Sequence, residues 1–569
     1  MSNLSSPNRS KRSQYWRAIA LATAITLQFG SQTVGAAPTR ADQEEQNQRQ
    51  RQEAMDKKER DQRSDVFLQK QPAADAATDL PEEDLRFPIH TVTLTGDRLD
   101  QFTWLTEYLE PYQGRQIGLQ GINLIVKRAT NALIDRGYTT TRILIPEQDL
   151  STGTLKLQLV PGVIHDIRFA EGTKGGNWQT AFPTRPGEIL NLRHLEQGLE
   201  QLKRVPSQDA DMQLVPADKP GESDIVISLK QTKPWKVVLS VDDSGSEATG
   251  KLQLSQTVAM DNLLGANDLF NVSFTHDGER EGKAYGSKGN SLYYSRPNGD
   301  WTYSFSRNEY QYHQRILTGS ETITYSGTNQ DIRFTAEKLL TRNQTGKTHL
   351  QLGLTVRDGR NYVEDTEISV QRKDTTAFTL GLSHKQYFGQ TTLDTRLTHK
   401  QGMPWLGAQP DTSTGPTTRY HIWNFDTTLT QPVTLGKAKG QYRLSFTGQY
   451  TNNHLYAADN FSIGSRYTVR GFDGELTLAG EQGWYLQNEL AVPLAPNGTS
   501  LYVGLDYGQV SGPSSAGLQG KALAGTVLGL RGPLGKASQY DVFVGWPLKK
   551  PDGFTTAHTT TGFQWTCQL

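Results

Sequence analysis

The sequence predicts a mainly β protein. An antiparallel transmembrane β-barrel occupies residues 235–569, after two small α+β modules and an N-terminal helix. Three observations predict it. Aromatic residues number 13 up to Pro234 and 38 beyond it, so their density roughly doubles there. From the same point helical periodicity gives way to alternation of apolar and polar residues, as in Trp301-Thr302-Tyr303-Ser304-Phe305, Leu350-Gln351-Leu352-Gly353-Leu354 and the closing Phe563, Trp565, Cys567, Leu569. Finally, mean hydropathy is −0.59, and past the N-terminus no run approaches the 20 or so apolar residues of a spanning helix. A barrel escapes that exclusion. Its strands satisfy one another's backbone groups, and only every second side chain faces lipid. A pair of soluble β-sandwiches or a propeller is the rival reading of the same texture.

Residues 1–37 read as an export leader. Arg9, Lys11, Arg12 and Arg17 give a basic start, Ala18 to Leu27 an apolar core too short to span, and Val34-Gly35-Ala36-Ala37 a small-residue cleavage site. A short buried helix is the alternative. Residues 38–62 are almost wholly polar and rich in helix formers (Gln, Glu, Arg, Lys, Ala). A helix polar all round bridges solvent, lies in a water-filled polar channel or is unstable, so a disordered tether remains open. Residues 63–86, with Pro72 and Pro81, form a linker long enough to separate that helix from the next module.

Residues 87–161 form the first module. Ile89 to Leu94 is a strand. Ile122, Ile125, Val126, Ala129 and Leu133 stripe a helix, and Gly137 caps it. Tyr138 to Ile145 and Thr154 to Val160 form a hairpin. Residues 162–234 repeat that order. Val163 to Phe169 is a strand, Leu192, Leu195, Leu199 and Leu202 stripe a helix, and Met212 to Val215 and Asp224 to Leu229 are strands. The shared order indicates two copies of one module. Beyond Pro234, turn signals such as Asn298-Gly299-Asp300 and Asp358-Gly359 divide the alternating segments. At about 10 residues per tilted strand, residues 235–569 supply roughly 14–18 strands.

Lys plus Arg and Asp plus Glu each number 59, which disfavours a nucleic-acid partner. No catalytic constellation is recognisable. No histidine pair has zinc-site spacing, no Gly-x-Ser-x-Gly elbow occurs, and Gly346-Lys347-Thr348 lacks the leading glycine of a phosphate loop. Scattered Asp and Glu read as turn or loop residues. The lone Cys567 reads as lipid-facing. No metal or cofactor is expected. The distinctive segment is Phe461 to Glu475, where Arg470 stands between Val469 and Gly471-Phe472. Folded into a lumen, Arg470 requires an anion, because a shielded unpaired charge is costly. Asp506 in Leu505-Asp506-Tyr507-Gly508 is the candidate. An external loop with a solvated Arg470 is the alternative.

These residues resemble the outer-membrane transporters of two-partner secretion, within the Omp85 superfamily. Val469-Arg470-Gly471-Phe472 looks like the family's VRGF loop motif, and Leu505-Asp506-Tyr507-Gly508 like its later barrel motif. Ile145 to Leu150, Leu190 to Leu199 and Pro220 to Asp224 are similar to segments of its POTRA modules. Asp261 to Gly265 and Gly402 to Gly407 are similar to barrel turns and strands. The resemblance implies a 16-stranded barrel in the Gram-negative outer membrane and a periplasmic POTRA pair. It also implies an N-terminal helix plugging the pore, with Glu44, Gln48, Arg51 and Lys58 as candidate residues. It implies secretion, without ATP, of a large unfolded β-rich exoprotein bound through the POTRA modules. Lipid, lipopolysaccharide, periplasmic chaperones and the barrel-assembly machinery are the further partners implied. A general outer-membrane assembly factor is the alternative, although such factors usually carry more modules. Leu569 departs from the family's aromatic C-terminus.

Overall fold

The computed structural model describes residues 40–61, 65–68, 77–173, 175–279, 282, 284–318, 321–411 and 415–569. The expected leader, residues 1–37, lies outside them. The first element is helix α1 (Arg40–Asp61).

The first module contains β1 (Phe87–Ile89), β2 (Thr91–Gly96), α2 (Thr103–Leu109), β3 (Arg115–Ile117), α3 (Leu119–Asp135), β4 (Arg142–Leu144) and β5 (Thr154–Val160). β5 is the middle strand, parallel to β2 and antiparallel to β4. Its alternation buries Leu155, Leu157 and Leu159 against Ile122, Ile125, Ala129 and Leu133 of α3. Gly137, at φ 95°, ends α3, with the Tyr138 N–H donating to the Leu133 carbonyl at 2.9 Å. The second module is β6 (Val163–Phe169), α4 (Trp178–Ala181), α5 (Leu192–Lys203), β7 (Gln208–Pro216) and β8 (Glu222–Gln231). Again the last strand, β8, is central, parallel to β6 and antiparallel to β7. The leucine stripe of α5 packs on Ile164, Ile225 and Ile227. The repeated pairing is the structural form of the sequence repeat. Sequence reading missed α2, whose seven residues are too few to show a period.

Sixteen strands, counted among the described residues, then close a barrel. They are β9 (Trp235–Asp242), β10 (Gln253–Asp261), β11 (Leu269–Asp277), β12 (Tyr285–Asn298), β13 (Trp301–Thr318), β14 (Glu321–Arg342) and β15 (Gly346–Val363), followed, past the two-residue β16 (Thr366–Glu367), by β17 (Lys373–Phe388), β18 (Thr391–Met403), β19 (His421–Leu435) and β20 (Ala438–Tyr450). A small hairpin, β21 (Phe461–Ile463) with β22 (Leu478–Gly480), interrupts the meander. The barrel resumes with β23 (Gln482–Pro493), β24 (Ser500–Ser511), β25 (Ala522–Leu534), β26 (Ser538–Lys549) and β27 (Thr560–Gln568). β27 pairs antiparallel with β9, from Gln564 opposite Asp242 to Gln568 opposite Val238. Closure leaves no free edge.

Two expectations need correction. β13 and β15 have 18 residues and β14 has 22, well beyond the expected 10. And Asp358-Gly359 is no turn but lies inside β15, with Gly359 opposite Asn329 and Lys373. The reason is one and the same. Along the outer face of β15, Leu350, Leu352, Leu354 and Val356 precede Asp358, whose carboxylate pairs with Arg360 at 2.8 Å. The apolar band ends there, while the strands continue into water, paired with one another.

Candidate functional site

The β21–β22 hairpin and the segment between its strands fold back into the barrel. Phe461, Ile463, Val469, Phe472 and Leu478 bury against Val510, Leu523 and Phe554, and the rings of Phe472 and Phe554 meet edge to face at 5.9 Å. Arg470 is thereby carried to the inner wall. Its Nε donates to Asp506 Oδ2 at 2.7 Å, one Nη to Asp506 Oδ1 at 2.9 Å, and its backbone N–H to Oδ2 at 3.0 Å. The other Nη donates to Glu489 Oε2 at 2.6 Å, and Glu489 also accepts from Arg531 at 2.8 Å. A planar guanidinium suits this two-sided, partly bidentate arrangement.

The wall is shaped for the loop by glycines that sequence reading did not single out. A Cβ at Gly504 would lie 2.5 Å from an Arg470 Nη, at Gly525 2.0 Å from the Arg470 carbonyl, and at Gly545 2.9 Å from Gly471 Cα. Gly471 itself sits at φ 100°, with the Trp546 carbonyl 2.5 Å from where a side chain would begin. Loop backbone lies directly on strand backbone. Nothing in the local sequence announces this, because it depends on which segment packs there.

Helix α1 lies in the lumen, between the inner walls and this loop. Of the four candidate helix residues, Glu44 and Arg51 are buried. Glu44 accepts from Tyr310 of β13 at 2.6 Å and from Ser246 at 2.9 Å. Arg51 pairs with Asp242 of β9 at 3.1 Å and reaches Gln253 of β10 at 3.3 Å. Gln48 bonds back along the helix, to Glu44 at 3.4 Å, and Lys58 is exposed. Residues not anticipated carry as much. Gln50 donates to Ser462 Oγ at 2.7 Å and accepts from Ser465 at 2.6 Å, and Arg49 donates to the Asn460 carbonyl at 2.6 Å. Lys373 of β17 pairs with Asp42 at 2.9 Å and Glu45 at 3.0 Å, and Arg333 of β14 with Asp56 at 3.3 Å. Scattered acids are expected in turns and loops, but Asp331 and Glu489 lie within strands β14 and β23 and face the lumen, where they meet Arg357 and Arg470.

The linker is not a free spacer. Residues 65–68 wedge between α5 and the ends of the strands nearest the two modules. Val66 and Leu68 join the apolar core of the second module, and the Phe67 ring meets that of Tyr387 at 4.8 Å. Asp65 pairs with Lys347 and Lys385. Arg342 and Lys347 also hold Glu200 of α5, at 3.0 and 2.7 Å. Burial pushes the Asp65 carboxyl up, but the two ammonium groups outweigh it and bring its pKa down to about 2. Burial likewise raises Glu200, and Lys347 and Arg342 reverse the effect, leaving it below its ordinary value.

The matches to known proteins agree with this architecture. A family profile described as haemolysin secretion/activation protein ShlB/FhaC/HecB matches residues 221–532. POTRA domain profiles match residues 87–162, in the ShlB-type form, and 163–216. The chain is similar to the outer membrane transporter CdiB-2 of Burkholderia pseudomallei (strain 1026b), 46% identical over 477 residues, which cover 83% of this chain and 82% of the relative. It is similar to the hemolysin transporter protein ShlB of Serratia marcescens, 29% identical over 443 residues, 77% and 78% of the two chains. The solved structure of CdiB from Acinetobacter baumannii superposes with a TM-score of 0.83 at 30% identity, covering 92% of this chain and 98% of that one. With a polar helix inside a closed 16-stranded barrel, two repeated modules ahead of it, and a profile spanning more than half of its length, the chain belongs to the haemolysin secretion/activation ShlB/FhaC/HecB family of outer-membrane transporters.

Proposed function

We propose that this protein secretes a large, unfolded, β-rich exoprotein across the outer membrane by two-partner secretion. The barrel spans the outer membrane and the modules stand in the periplasm. The observation that carries the reading is the lumen itself, which holds a helix whose polar groups are matched to the wall rather than to an apolar core. In this reading residues 1–37 are the export leader, 38–62 the plug, 63–86 its linker, 87–161 and 162–234 the POTRA pair, and 235–569 the barrel with its VRGF loop. Arg470 and Asp506 hold that loop against the wall while the plug leaves.

The exoprotein is engaged through strand edges of the modules. β4 and β7 are edge strands of their sheets, and Leu144, Leu214 and Val215 along them, with Ile145 just past β4, are exposed. An extended segment added there gains main-chain hydrogen bonds, and the apolar side chains select it. No chemical step is required. Vectorial movement comes from folding outside the cell, since a folded passenger cannot return. Outer-membrane lipid and lipopolysaccharide surround the barrel, and periplasmic chaperones with the barrel-assembly machinery deliver it.

Titrating the secretion segment of the partner exoprotein against the purified full-length protein tests the reading. Saturable binding is expected, weakened by Leu214→Asp combined with Val215→Asp. The absence of binding to the intact protein rejects the proposal, and binding unchanged by the double variant rejects the strand-edge route.

A further inference from the structure

On the outer wall near the periplasmic end, between β12, β13 and β14, lies a recess of about 310 Å³. Strand register orders its side chains by depth. Tyr294, Phe305 and Phe334 stand side by side across the three strands. Two residues nearer the periplasm, a step of about 7 Å along a strand, Arg296 faces Tyr303. Two residues further, Asn298, Trp301 and Lys338 form the next row. The recess therefore runs from cations and an amide at its periplasmic mouth to aromatic faces at its membrane side.

The Arg296 charge at the mouth has no carboxylate partner in the recess. Arg296 is exposed, no Asp or Glu lines the recess, and among the described residues no carboxylate pairs with Arg296. The Lys338 ammonium stands 5.4 Å from the Trp301 ring in a cation–π contact and also feels the Asp300 carboxylate, so it adds to the Arg296 field without dominating it. A small anion alone makes no use of the aromatic floor, and a bare acyl chain makes no use of the cations. The two occur in the order found along a glycerophospholipid standing in the periplasmic leaflet.

We propose that this recess binds an anionic phospholipid of the periplasmic leaflet. The phosphodiester is held by Arg296 and Asn298, with Lys338 adding charge, and an acyl chain lies against Phe305 and Phe334. Guanidinium offers paired donors to phosphate oxygens, and a guanidinium without a carboxylate partner, with a second cation close by, favours an acidic headgroup over a zwitterionic one. The proposal rests on the membrane placement of the barrel and not on the identity of the exported partner. The recess lies on the outer surface, so the lipid belongs to the translocator whether or not cargo is moving.

Native mass spectrometry of the detergent-purified full-length protein tests it, with phosphatidylglycerol, cardiolipin, phosphatidylethanolamine and lipid A offered in turn. The two anionic phospholipids are expected to be retained in preference to phosphatidylethanolamine. Arg296→Gln should weaken their retention roughly fivefold and Arg296→Glu further still, since each cation near a membrane surface is worth about that factor. Arg296→Lys should keep most of it. Lys288→Glu, an outward charge change at the opposite end of β12, should leave it intact. Heat-modifiable gel mobility establishes that each variant is folded, and Arg296→Gln alone suffices should the charge reversal fail to insert. Equal retention of phosphatidylethanolamine, preference for lipid A, displacement by millimolar inorganic phosphate, or an equal loss in Lys288→Glu would each overturn the assignment.

Discussion

Arg470 has three hydrogen bonds to Asp506 and one to Glu489, so truncating it leaves Asp506 without its cation and Glu489 with Arg531 alone. Breaking a buried pair from one side costs about 3–5 kcal/mol. Arg470→Ala is therefore expected to release the loop and lower partner secretion while the barrel level in the membrane stays normal. Immunoblots of culture supernatant and outer membrane measure both. Arg470→Lys should fall well short of full rescue, because a single ammonium cannot span both acids. Gly471→Ala should act in the same direction without touching charge, since its Cβ would meet a strand carbonyl at 2.5 Å. Secretion at the normal rate by all three would remove the loop from the mechanism. Arg470 and Asp506 are nameable from sequence because each sits in a short motif. Glu489 is not, because in Asn488-Glu489-Leu490 it looks like any polar residue of an alternating strand.

At the scale of elements, α1 and its linker behave as one device. Three residues separate the end of α1 from Asp65, too few to let a 22-residue helix leave the lumen while the wedge stays seated. Deleting residues 40–61 should raise single-channel conductance in planar bilayers, and an unchanged conductance would mean that the helix does not obstruct the pore. Asp65→Asn should increase the frequency of openings at neutral pH. Because the folded-state pKa of Asp65 is lowered, from an ordinary value near 3.8 to about 2, its contribution is complete above the ordinary value. It fades as pH falls toward 2. Asp65-dependent closure should thus be flat from pH 7 to about 4 and lost below that. A wild-type opening frequency that tracks pH between 7 and 5 through Asp65 would contradict the assignment. The wedge was within reach of the sequence, since Val66-Phe67-Leu68 is the lone apolar triplet in a polar stretch. From sequence alone it belongs to the linker, because an apolar triplet does not say what it packs against.

For the whole molecule, the fold was legible where a period spans many residues. Alternation from Trp301 to Leu569 gives the barrel, and the stripes of α3 and α5 give the repeated modules. Strand lengths were not legible, because pairing outside the lipid leaves no hydropathy signal, and Asp358 marks the edge of the apolar band rather than the end of β15. Inter-element contacts, such as Arg342 and Lys347 holding Glu200, join positions more than a hundred residues apart and carry no local pattern. The central claim, that this barrel exports a dedicated partner, is tested most directly by measuring that partner in the culture medium of a strain deleted for this protein. Deletion should leave the exoprotein in the periplasm, where it is degraded, and the wild-type chain supplied in trans should return it to the medium. Undiminished export by the deletion strain would contradict the account.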